Sequence, residues 1–68
     1  MNRGQRVKHE DFGFGTIRYI MFEGTFRERY LVEFDVSNSK LHDGYGLTKD
    51  NRCYCCEKKE LVSIDGRE

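Results

Sequence analysis

The residues best suited to chemistry sit in one stretch, LHDGYGLTKDNRCYCC at 41–56, which holds a His-Asp pair and all three cysteines. Thiolates and imidazoles bind zinc, and a histidine with an acid and a nucleophile performs acyl transfer. The spacing argues against both. Zinc ligands are usually separated by at least two residues, because each pair must bend around one tetrahedral ion. Cys53, Cys55 and Cys56 leave one intervening residue and then none. On a strand Cys53 and Cys55 share a face and Cys56 opposes them. His9 and His42 would have to complete a site from distant parts of the fold. No metal ligands and no cofactor are therefore expected, and the thiols read as small apolar side chains.

His42 and Asp43 are adjacent, and the only nucleophiles to join them are Ser39 and Cys53. Neighbours in a loop do not hold one another as a triad requires, where the acid orients the imidazole from behind. Asp43-Gly44 reads instead as turn chemistry, with Asp bonding back to the main chain and Gly at positive φ. The glycines of FGFGT and HDGYGL are not followed by a helix whose first turn would hold an anion, and no G-K-[ST] is present. No catalytic residue is assigned, and the chain reads as noncatalytic.

The elements that carry these residues are short. The chain has no proline and seven glycines, so Gly, Asn and Asp mark its turns. A first strand is expected at 5–9 with Val7 inward. A turn at 10–14 leads to a strand at 16–22, in which Ile17, Tyr19 and Met21 compete with Ile20 and Phe22 for the core. After a turn at 23–25, residues 27–35 give the clearest alternation, Tyr30, Val32 and Phe34 on one face and Arg29, Leu31 and Glu33 on the other. A long connection fills 36–52; loops of this length without structure of their own are often functional. A strand at 53–56, a helical turn at 57–61 and a last strand at 62–64 complete the chain. The expectation is one all-β domain over 1–68, a five-stranded SH3-like small barrel with one short helical turn before its last strand.

Composition sets limits on function. Sixty-eight residues support one small core and leave little for a deep substrate cleft. Nine aromatics supply much of that core. The amino terminus lacks the apolar stretch of a signal peptide, no segment is suited to cross a membrane, and three cysteines fit no paired framework. A reducing, cytoplasmic setting is expected. Twelve basic residues balance twelve acidic ones, which removes the basic excess typical of nucleic-acid binders. A local binding face would use Arg18, Arg27, Arg29, Tyr30 and Arg52, with Tyr54, by stacking over a positive groove. Glu23, Glu28, Glu33 and Asp50 interrupt it.

Four Tyr and seven Arg suit protein recognition better, since both are enriched at interface hot spots. The expected groove lies between the loops at 10–14 and 23–28, and the expected contacts are Phe12, Phe14, Phe26, His42, Asp43, Tyr45 and Tyr54.

The opening GQRVKHEDFGFGTI, at 4–17, resembles the start of the Tudor-like barrel at the carboxyl end of UvrD/PcrA-type helicases. Gly4, Val7, His9, Phe12, Gly13, Gly15, Thr16 and Ile17 match its pattern. KOW modules and the polymerase-binding barrels of the CarD and transcription-repair coupling type are looser relatives in fold. The second half resembles small phage and prophage proteins with an H-D-G-x-G…C-aromatic pattern, on Phe34, Asp35, His42, Asp43, Gly44, Gly46, Cys53 and Tyr54, with Cys55 where a second aromatic is expected. The first resemblance implies a Tudor- or KOW-like barrel. The second implies a phage origin and, with the small size, an inhibitor of a host defence or transcription protein, acting in the host cytoplasm. The reading is a noncatalytic module with a host protein as partner. A nucleic-acid-binding barrel is the alternative, and an oligomeric sponge for a small signal nucleotide is the third; the oligomeric state stays open.

Overall fold

Alternation of apolar and polar residues between glycine-marked turns gives five strands. The computed structural model describes residues 1–64; positions 65–68 of the expected domain lie outside the described residues. The strands are β1 (Arg6–His9), β2 (Gly13–Met21), β3 (Arg29–Phe34), β4 (Cys53–Cys56) and β5 (Leu61–Ser63), with a 3₁₀ helix at Lys58–Glu60 before the last. They form one antiparallel sheet in the order β4-β3-β2-β1-β5. Among the described residues no helix is long and apolar enough to cross a membrane.

The pairing does not close into the barrel expected from the sequence, because β4 and β5 remain the two edges of the sheet. The sheet still builds one core. Val7 of β1, Ile17 of β2, Tyr30, Val32 and Phe34 of β3, Cys56 of β4 and Leu61 of β5 are buried together with Leu41 from the long connection. An open sheet gathers side chains from both edges into one cluster only by curling over its inner face, as strongly twisted sheets do. The last strand starts one residue earlier than expected: Leu61 is its core residue, and Val62 is exposed.

The competing apolar sets at 16–22 have a structural cause. Pairing between β2 and β3 runs Ile17↔Val32, then skips Arg18 and resumes at Tyr19↔Leu31 and Ile20↔Tyr30. One extra residue in one strand is a β-bulge, and it shifts every later side chain to the opposite face. Ile17 therefore points into the core before the bulge and Ile20 packs against it afterwards, while Tyr19 turns outward.

Gly15 serves packing rather than a turn. Gly13, at φ +81°, serves the turn, but Gly15 lies within β2 without positive φ. A Cβ there would fall 2.7 Å from Val32 Cγ1 and 2.9 Å from Phe34 Cδ1. The second glycine of FGFG is thus a packing requirement of the core.

His9 ties two elements together. Its Nδ1 accepts the N–H of Asp11 at 3.0 Å, so the ring proton resides on Nε2, which faces a Glu60 carboxylate oxygen at 3.3 Å. The other Glu60 oxygen accepts the N–H of Glu57 at 2.8 Å. One carboxylate thus caps the 3₁₀ helix and anchors it to the end of β1.

Candidate functional site

The outer face of the sheet, opposite the core, is divided at the Arg18 bulge. On one side of the bulge Thr16 pairs with Glu33 and Glu33 with Cys53; on the other, Tyr19 pairs with Leu31 and Leu31 with Cys55. The first row centres on a carboxylate, Glu33, and the second on an apolar side chain, Leu31.

In the charged half, Glu33 takes Arg18 on one carboxylate oxygen and Arg52 on the other, the latter at 2.7 Å. Arg52 Nε also donates to Asp50 at 2.9 Å, and Arg6 makes a two-point contact with Asp35. These bonds from arginine hold the Asp35 and Asp50 carboxyls below the usual range. Arg3, Thr16, Arg18, Glu33, Asp35 and Arg52 line a hollow here.

The apolar half is a groove of about 540 Å³ lined by Tyr19, Ile20, Met21, Leu31 and the turn Gly44, Tyr45, Gly46 and Leu47. Leu31 forms part of it and is buried, so β3 is covered on both faces rather than half-buried as its alternation suggests.

The long connection builds the wall of this groove. Leu41 enters the core, and His42 pairs with Cys53 through two main-chain bonds of 2.8 Å, an isolated bridge that lays the connection beside the start of β4. The chain then reverses. The side chain of Asp43 accepts the N–H of Tyr45 at 3.2 Å, and the ring of His42 accepts the N–H of Gly44 at 3.0 Å. Gly44 has φ +69°, and a Cβ there would fall 2.7 Å from the Cys53 sulfur. This is the Asp-Gly turn chemistry expected from the sequence. Tyr45 also adopts positive φ, at +62°. Non-glycine residues held there carry strain, and such positions cluster at functional sites. Tyr45 is 80% exposed, with its hydroxyl 3.8 Å from the Cys55 sulfur. That contact raises the phenol's pKa above its ordinary value.

Four of the seven expected partner contacts come together. Phe12 packs on Tyr54 with ring centroids 5.2 Å apart, Tyr54 lies 6.3 Å from His42, and His42 lies 5.6 Å from Tyr45. Asp43 supports this row through its turn. Phe12 and Tyr54 also lean on the core, so the row presents Tyr45 most openly. Phe14 and Phe26 stand apart. Phe14 lies under the Lys8 ammonium, and Phe26, 93% exposed, sits in the β2–β3 connection beside Arg27. The loops at 10–14 and 23–28 flank opposite ends of the nine-residue β2, so they do not line one groove.

Of the residues expected to bind nucleic acid, Arg18 and Arg52 meet at Glu33, and the other three lie apart from them. Tyr30 is 1% exposed, which leaves no ring face for a base. Arg18 and Arg52 are engaged by Glu33, Arg29 donates to the Glu28 carbonyl, and Arg27 lies over Phe26 at the far connection. Cys53 and Cys56 are buried and Cys55 is half-exposed. Burial raises the thiol pKa of Cys53 and pushes that of Cys56 up to about 12. Among the described residues no three His, Cys, Asp or Glu side chains converge as a metal site would require.

Tyr19 and Leu31 line this groove although strict alternation hides the bulge that brings them together, and Leu47 reaches it from the long connection. The signal was present in the two competing apolar sets of 16–22. Comparison with known protein families, curated proteins and solved structures finds no match.

Proposed function

We propose that the chain is a noncatalytic binding module of SH3-like, Tudor- or KOW-type organisation that engages a protein through the groove between Tyr19 and Tyr45. The strand order and the 3₁₀ helix before the last strand support the fold assignment. One observation carries the function. An apolar groove floored by Leu31 is walled by a tyrosine held at positive φ, on a turn braced by Asp43, His42 and Cys53. A rigid aromatic wall beside an apolar floor accepts a bulky side chain with little ordering cost, and that is how interface hot spots gain affinity. The resemblance of the second half to phage proteins supports an inhibitor of a host protein as the biological setting.

The test is capture of partners by tagged protein in the cells that produce it, with nuclease and at two salt concentrations. The account expects a protein retained after nuclease treatment and at raised salt, and lost in a Tyr19→Ser, Tyr45→Ser variant of unchanged fold. Nucleic-acid binding would instead weaken steeply with salt. A partner released by nuclease, or one indifferent to both tyrosines, contradicts the reading.

A further inference from the structure

The apolar groove does not end at Tyr19. Tyr19 and Ile20 also line a neighbouring hollow with Asn2, Arg3 and Glu23, and Arg3 in turn lines the charged hollow with Arg18 and Arg52. Shared walls make the three hollows one surface running along β2, apolar at one end and guanidinium-rich at the other.

Among the described residues the charged end is not balanced: four arginines, Arg3, Arg6, Arg18 and Arg52, stand against three carboxylates, Glu33, Asp35 and Asp50. Each guanidinium has five N–H donors. Glu33 is shared between two of them, and among the described residues Arg3 has no acidic partner. Glu23 lies at the middle hollow and disfavours a negative group there. The surface therefore distinguishes its ends: a bulky apolar group at Tyr19 and Tyr45, and an anionic group beyond Tyr19 at Arg3 and Arg18.

We propose that the occupant is an extended acidic segment of the partner protein, its bulky apolar side chain in the Tyr19–Tyr45 groove and a carboxylate on Arg3 and Arg18. This rests on the protein-binding reading above and adds the charge of the partner. Carboxylates meet arginine in paired, charge-assisted hydrogen bonds, which fix direction as well as affinity. The segment lies along β2 with its acidic end toward the bulge.

Fluorescence anisotropy with labelled octapeptides tests this on the intact chain. One probe has leucine-tryptophan at its centre between glutamates, a second has the same centre between lysines, a third has glutamates around serines, and a fourth is a labelled oligothymidylate. The glutamate-flanked apolar probe should bind about tenfold tighter than its lysine counterpart, the scale of a charge-assisted contact. Arg3→Glu should remove that preference, and Tyr19→Ser should weaken both apolar probes. Both substitutions are at exposed positions, and circular dichroism verifies the fold. Equal binding of the two apolar probes with Tyr19→Ser still weakening both overturns the acidic assignment alone. Binding of the serine-glutamate probe as tightly as the apolar one, or no peptide binding, overturns both readings. Tighter binding of the oligothymidylate than of any peptide replaces them with nucleic acid.

Discussion

At the scale of single residues the fold depends on side chains that are missing. Gly15 and Gly46 make a controlled pair. A Cβ at Gly15 meets Val32 and Phe34 inside the core, whereas at Gly46, with φ +95°, it meets nothing within 4 Å. Gly15→Ala adds volume to a filled core, which costs about 1–3 kcal/mol, and in a domain this small each kcal/mol lowers the melting temperature by about 4–8 °C. Gly46→Ala should carry only the left-handed strain, about 1–2 kcal/mol, and leave core packing, read by near-ultraviolet circular dichroism, unchanged. A Gly15→Ala protein as stable as the parent would contradict the close approach of β2 to β3. The cysteines give a second prediction. Cys53 and Cys56 are buried with raised pKa values, and Cys55 is half-exposed beside Tyr45. Since the thiolate is the reactive species, iodoacetamide at mildly alkaline pH should modify Cys55 alone in the folded protein and all three thiols after unfolding. Peptide mass mapping reads the sites; rapid modification of Cys56 in the folded state would contradict its burial.

At the scale of elements, much of the sheet was legible. Strand β4 lies where CYCC places it, and the inward set of β3 follows from its alternation, because apolar residues at every second position have only one face to bury. The helical turn before the last strand was legible in EKKEL. The bulge at Arg18 was not, since one extra residue alters the face of Tyr19 and Ile20 without altering composition. Nor was the bridge from His42 to Cys53, which depends on a contact between residues distant in sequence. The resulting groove between β2 and the 44–47 turn was hidden for both reasons. The 3₁₀ helix carries its own prediction. The Glu57 N–H, and after it His9, hold the Glu60 carboxyl below its ordinary value of 4.5. A folded pKa below the unfolded one gives stability that is present above the unfolded value and lost as pH falls through the folded value. Urea unfolding should therefore show stability falling between about pH 6 and about pH 3. Glu60→Gln should be less stable near neutrality and lose less on acidification. Glu28, Asp35 and Asp50, also lowered by hydrogen bonds, supply the remaining slope. Identical pH slopes for parent and variant would contradict the role given to Glu60.

At the scale of the whole molecule, the chain uses one face of a small sheet for its core, and the function proposed above gives the other face to recognition. Charge reinforces the division. The formal net charge is zero, yet arginines and carboxylates concentrate in the half of the outer face next to the apolar groove, an arrangement suited to orienting a partner more than to attracting polyanions. Several large apolar side chains remain exposed, Phe26 most of all, so the central claim is that Tyr19 and Tyr45, rather than the β2–β3 connection, face the partner. Site-specific photo-crosslinking tests it most directly. A benzophenone amino acid is placed in turn at Tyr19, Tyr45 and Phe26, and the protein is irradiated in the cells that produce it. The account predicts a discrete protein adduct from positions 19 and 45 and none from position 26. An adduct from position 26 alone, or none from either tyrosine, would contradict it.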